Sequence, residues 1–171
     1  MLAQTLTLVN TIFTMKQPTI TYQCLRFKSL KLKQLYEIIR LREAVFVVEQ
    51  DCPYLEADGK DPQGWHVLGY QGKELVAYTR ILPKRVSYND ATSIGRVVTK
   101  KEMRGQGIGV DIMKYSLDWI NRLFPQQRIR ISAQTYLTKF YQKFGFQPIG
   151  NEYLEDNIPH IQMVIEPKAW K

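Results

Sequence analysis

Apolar and polar positions alternate from Thr19 to Phe27, which predicts a first strand. Leu32, Leu35, Ile38, Ile39, Val45 and Phe46 then recur at helical spacing, so Ser29 to about Gln50 reads as one or two helices with Ser29 available as cap. Pro53, Gly59 and Pro62 break any regular pattern between Asp51 and Gln63, which is read as loop. Trp65–Tyr70 and Glu74–Leu82 alternate again across the short Gln71-Gly72-Lys73 link, a hairpin signal. Ala91–Thr99 is the next strand, with Gly95 as a candidate bulge. Met113, Leu117, Ile120 and Phe124 mark the core stripe of a helix from Ile108 to Phe124, ended by Pro125. Arg128–Ala133 turns Ile129, Ile131 and Ala133 to one face and is a half-buried strand. Leu137–Phe144 is a short helix closed by Gly145, and Phe146–Leu154 and Ile158–Ile165 are two strands joined by Glu155-Asp156-Asn157. The order β-α-β-β-β-α-β-α-β-β describes an α/β (α+β) domain with a mixed, mostly antiparallel twisted sheet flanked by helices.

A chain of 171 residues with 44% hydrophobic content can bury one proper core. The Thr-rich apolar stretch Met1–Thr14 contains no Lys or Arg, so it lacks the cationic start of an export signal. Residues 1–15 are therefore read as an extension outside the fold, and 16–171 as a single domain. No apolar run reaches the ~20 residues of a membrane span. Cys24 and Cys52 form no zinc-type cluster, so no metal is expected, and their sparseness suits a reducing, cytoplasmic setting. A net charge of +8 would suit a nucleic acid or a polyphosphate ligand. The basic residues form no long or aromatic-interleaved run, which does not favour nucleic acid.

Candidate chemistry begins at Arg104-Gly105-Gln106-Gly107-Ile108-Gly109, where a strand runs into an amphipathic helix. Small residues there let backbone N–H groups approach an anion, and the helix start adds partial positive charge. A Walker loop is excluded because no Gly-Lys pair is followed by Ser or Thr. A dinucleotide fingerprint is excluded because Val110 stands where its third glycine belongs. Taken alone, the triplet fits an ordinary glycine turn equally well. One strand and one helix later lies Phe140-Tyr141-Gln142-Lys143-Phe144-Gly145-Phe146, whose aromatics taken alone read as core.

Together the two segments resemble the GNAT N-acetyltransferase superfamily. Arg104, Gly107 and Gly109 match its [RQ]-x-x-G-x-[GA] motif, and Phe140–Phe146 matches its F-Y-x-[KR]-x-G-F segment. Leu41-Arg42, Val45–Gln50, Cys52-Pro53-Tyr54, Asp58-Gly59, Gly95-Arg96-Val97, Ala133-Gln134 and Ile158–Ile161 are similar to the ElaA subgroup, for which the resemblance supplies no acceptor.

The resemblance implies acetyl-CoA as acyl donor. Its pantetheine arm would pair with Val97, Val98 and Thr99, and its pyrophosphate would sit on Arg104, Gly105, Gln106, Gly107, Ile108 and Gly109. Gln134 and Phe140 are further expected contacts. A backbone N–H near Val98 is the implied oxyanion donor and Tyr141 the implied general acid. Glu49 and His160 stand level as candidate bases, with His66 behind them; a raised pKa near buried surface would suit Glu49 to the task. Glu49, Asp51, Glu56, Asp58 and Asp61 crowd one segment, either as a solvated loop or as an attractor for a cationic amine. Gln50, Asp58, Asp61 and His66 are accordingly candidate acceptor contacts.

The expectation is an acetyl-CoA-dependent N-acetyltransferase acting on a primary amine, small molecule or peptide, as a monomer or homodimer. A catalytically weak acyl-CoA-binding module is the alternative, against which intact Arg104, Gly107, Gly109 and Tyr141 count.

Overall fold

The computed structural model describes residues 19–167; the expected extension 1–15 lies outside them. Seven strands form one sheet: β1 (Ile20–Arg26), β2 (Trp65–Gln71), β3 (Glu74–Leu82), β4 (Thr92–Thr99), β5 (Ile129–Gln134), β6 (Gln147–Glu155) and β7 (Ile158–Ile165). Their spatial order is β1-β2-β3-β4-β5-β7-β6, antiparallel throughout except for the parallel β4–β5 pair. The expected mixed α/β sheet is thus the observed one.

Helix α2 (Ile108–Leu123) covers one face because its stripe matches the sheet's. Ile108, Ile112, Met113 and Ile120 are buried with Val67, Ala77, Ile81, Ile94 and Ile131. Each such side chain contributes about 1.5–3 kcal/mol over its exposed state. Helix α1 (Leu32–Arg42) covers the other face through Ile38 and Leu41, which pack with Leu68, Tyr78 and Val98. Short α3 (Thr138–Gln142) follows β5. No helix among the described residues is long and apolar enough to cross a membrane.

Three local expectations change. The cap of α1 is Lys31, whose backbone N–H donates to Gln34 Oε1 at 3.0 Å, and Ser29 instead ends a preceding short turn. The helix does not remain α-helical to Gln50, because Glu43–Glu49 widens into a π-helical turn, with Gln50 N–H bonded to the Val45 carbonyl at 3.2 Å. The bulge of β4 lies beside Gly95 rather than on it. Tyr78 pairs with Val98 and Arg80 with Gly95, so Arg96 and Val97 together face Thr79. Arg96 takes the left-handed backbone, with φ +53°.

A split sheet as candidate active site

Strands β4 and β5 pair only at Thr92–Ile129 and Ser93–Arg130. Beyond those pairs they diverge, and a cavity of about 800 Å³ opens between them. Past Ser93, β4 has no strand partner on its β5 side among the described residues. The Lys100 N–H donates to the Val76 carbonyl at 2.8 Å, and in that register Val98 turns its main-chain groups to Tyr78 of β3, which leaves those of Val97 and Thr99 available to an extended ligand.

The glycine turn lies at one end of this cavity. Gly107 caps α2 in the left-handed region at φ +82°, and Gly105 is also left-handed at φ +75°. The Gly107 carbonyl accepts from Val110 and Asp111 N–H at 2.9 and 3.1 Å. The N–H groups of Ile108 and Gly109, in the first helical turn, have no intrahelical acceptor. Gly109 also brings the helix close to the sheet, since a Cβ there would lie 3.6 Å from Thr99 Oγ1 and 3.9 Å from Phe140 Cζ. Gln106 turns away from the ligand end, its Nε2 donating to the Glu102 carbonyl.

Arg104, Glu49, Gln50, Gln134, Phe140, Tyr141 and His160 all line the cavity. Arg104 and Glu49 form a forked ion pair, with N–O distances of 2.5 and 3.0 Å. Gln134 Nε2 donates to Gln50 Oε1 at 3.2 Å, tying β5 to the end of the π-helical turn. Tyr141 is buried, with its ring edge-on to Phe140 and Phe146. Burial pushes its phenol well above the ordinary value, so it keeps its proton at neutral pH.

The two candidate bases now differ. The hydrogen bond from Arg104, with the guanidinium charge behind it, holds the Glu49 carboxyl below its usual value. The raised pKa expected of Glu49 is therefore corrected: next to a cation the carboxylate is stabilised, not the acid. His160 Nδ1 lies 2.8 Å from the Ile158 carbonyl and must donate to it. In the neutral ring that leaves the lone pair on Nε2, the arrangement a proton acceptor needs.

Two expected acceptor contacts are not in the cavity. His66 is fully buried between Tyr78 Oη at 2.7 Å and the Asp61 carbonyl at 3.1 Å. Asp61 accepts from Arg42 at 2.9 and 3.0 Å and from Arg80 at 2.7 Å. Asp58 does line the cavity, but both of its oxygens are held by Arg80 at 2.6 Å. Glu56 accepts from Arg42 and Arg96. Glu56, Asp58 and Asp61 are thus folded onto three arginines and are neither solvated nor open to attract a cation, while Asp51 alone of the five stays exposed without an ion pair among the described residues.

Sequence reasoning missed Arg80 and Arg96 in this role, and Lys60, Tyr88, Ser132 and Glu155 on the cavity wall. Ser132 had a signal, since it occupies the polar phase of β5 opposite Ile129, Ile131 and Ala133. The arginines had none, because their acidic partners are remote in sequence.

A seven-stranded sheet split at its parallel pair, with a glycine turn opening the following helix, is the architecture of an acyltransferase. The chain matches the acetyltransferase (GNAT) domain family over residues 41–167 and belongs to it. Its relatives include the protein ElaA of Escherichia coli, 43% identical over 149 residues that cover 86% of this chain and 97% of that one. The crystal structure of E. coli ElaA matches with a TM-score of 0.82 at 41% identity, covering 86% and 100% of the two chains. That of an acyl-CoA N-acyltransferase from Pseudomonas aeruginosa matches at 0.81 and 39% identity, covering 85% and 99%.

Proposed function

We propose that this chain transfers an acetyl group from acetyl-CoA to a primary amine by direct attack. The observation that carries this reading is the divergence of β4 and β5, with Tyr141 on the cavity wall and the glycine turn at its end. Acetyl-CoA supplies an activated thioester; Val97–Thr99 would hold its arm and the 104–109 turn its pyrophosphate. Dipoles already in place cost no reorganisation when charge develops, so a backbone N–H near Val98 on the open edge of β4 would serve the carbonyl oxygen.

The nitrogen–carbon bond forms as the carbon–sulfur bond breaks. The proton leaving nitrogen goes to His160 Nε2, and Tyr141 Oη gives its proton to the departing sulfur. Tyr141 suits this because its site favours the protonated form at rest. Glu49 takes no part as base in this scheme; its carboxylate competes with the ligand for Arg104.

The test is thiol release with acetyl-CoA and an amine panel, with product mass measured in parallel. Acetylated amine together with thermal stabilisation by acetyl-CoA is expected. Absence of both would overturn the reading, and a preference for longer acyl-CoA donors would replace acetyl alone.

A further inference from the structure

Charged groups on the cavity wall divide into matched and unmatched ones. Glu49 is neutralised by Arg104, and Asp58 by Arg80 with Arg96 alongside. Glu155 is different. Its Oε2 accepts from Ser132 Oγ at 2.7 Å and from Tyr153 Oη at 3.4 Å, and no cation among the described residues lies within 4.0 Å of it. Neutral hydroxyls orient a carboxylate without cancelling its charge.

Lys60 is its counterpart. The ammonium reaches only Ser87 Oγ, at 3.5 Å, and no carboxylate among the described residues lies within 4.0 Å of it. Lys60 and Ser87 belong to segments beside β3 and β4, whereas Glu155 ends β6, beyond β5 and β7. Asp156, next to Glu155, also lines the cavity with no cation among the described residues within 4.0 Å, so Lys60 on one side of the split faces two carboxylates on the other. Ser93, Gly95 and Ser132 line the cavity with them, and all three are polar or lack a side chain.

The Glu155 pole is also fixed in place. Asp156 and Asn157 turn with left-handed φ of +50° and +62°, and the Cys52 thiol donates to the Asp156 carbonyl at 3.6 Å. His160 is its neighbour through Tyr153: the two rings lie 6.2 Å apart, and the Tyr153 hydroxyl reaches Glu155.

We infer that the acceptor is a zwitterionic amine of the amino-acid type, its ammonium met by Glu155 and its carboxylate by Lys60. This rests on the acetyl-transfer reading above and adds the acceptor's class to it. A ligand bearing one charge of each sign satisfies both poles at once, whereas a simple alkylamine or a diamine leaves Lys60 unmatched. The balance of the transfer is unchanged, with one further proton released to solvent because the acceptor arrives as an ammonium.

Norvaline, its amide, butylamine and putrescine are compared as acceptors with acetyl-CoA, by thiol release. Norvaline is expected to exceed each of the others in kcat/KM by about tenfold, the worth of one well-placed charge contact. Lys60→Gln should lower the norvaline value about tenfold more than the butylamine value. Glu155→Gln should lower all four. Thermal melting with and without acetyl-CoA checks that each variant folds and binds the donor. A preference for butylamine or putrescine, or an unaltered norvaline preference in Lys60→Gln, would overturn the inference while leaving acetyl transfer intact. If acetyl-CoA neither binds nor releases thiol with any amine, it is the transfer reading that falls.

Discussion

Arg42 and Arg96 donate through Nε to the same atom, Glu56 Oε1, each at 2.7 Å. Arg42 comes from the end of α1 and is fully buried; Arg96 is the left-handed residue of the β4 bulge. One carboxylate thus joins a helix, a loop and the strand whose opened backbone lines the cavity. A non-glycine residue held at positive φ costs on the order of 1–3 kcal/mol and persists only where its surroundings over-determine it. The Glu56 contacts, including Arg96 Nη2 to the Glu56 carbonyl at 3.1 Å, supply that restraint.

Glu56→Ala should therefore be strongly destabilising. It removes the shared anion and leaves Arg42 buried with Asp61 as its remaining acidic partner. Breaking a buried pair from one side costs about 3–5 kcal/mol, readable as a lowered urea midpoint at constant slope. A loss below about 1 kcal/mol, the range of exposed pairs, would show that the network contributes no more than surface charges do.

Tyr141→Phe should lower turnover about a hundredfold or more while changing acetyl-CoA affinity little. The ring stays packed against Phe140 and Phe146, so only the proton donor is lost. Single-turnover kinetics alongside calorimetric titration separates the two effects. Unchanged turnover would remove Tyr141 from the role of acid.

Glu49→Gln should tighten acetyl-CoA binding, because it releases the Arg104 guanidinium from a competing anion. The gain is limited to about fivefold, since an exposed pair contributes about 0.2–1 kcal/mol. Turnover should be largely retained in Glu49→Gln and fall about a hundredfold in His160→Gln, measured with saturating acetyl-CoA. The reverse pattern would return the base to Glu49.

Stability should decline in two stages as pH falls. Burial lowers the His66 pKa below its reference near 6.5. The unfolded chain then binds the extra proton first, and stability present above about pH 6.5 is lost as pH falls towards the folded value. Burial alone would raise the carboxyls of Asp58 and Asp61, but Arg80 and Arg42 outweigh it and hold both below the usual range. Their contribution is complete above an unfolded value of about 3.9 and is lost below it. Urea midpoints measured from pH 8 to pH 3 test this, and a flat profile between pH 7 and pH 5 would eliminate the His66 stage.

Order and type of the regular elements could be read directly from the chain, because a period of two or of 3.6 is local information. Alternation in Ile129–Gln134 marked a core face, and by the same parity the polar face that carries Ser132 and Gln134 to the cavity. The glycine turn and Tyr141 were legible as motifs for a similar reason: turn geometry and the start of a helix are set within a few residues. Charge pairing was not. Five carboxylates from Glu49 to Asp61 look alike in one dimension, yet folding buries Glu56 and Asp61 against arginines of α1, β3 and β4, clamps Asp58, assigns Glu49 to Arg104 and leaves Asp51 exposed. Burial makes an unmatched charge costly, so the tertiary structure, which brings distant residues together, decided which carboxylates are matched. The unmatched carboxylate of the acceptor pole, Glu155, lies outside that acidic stretch, in the turn between β6 and β7.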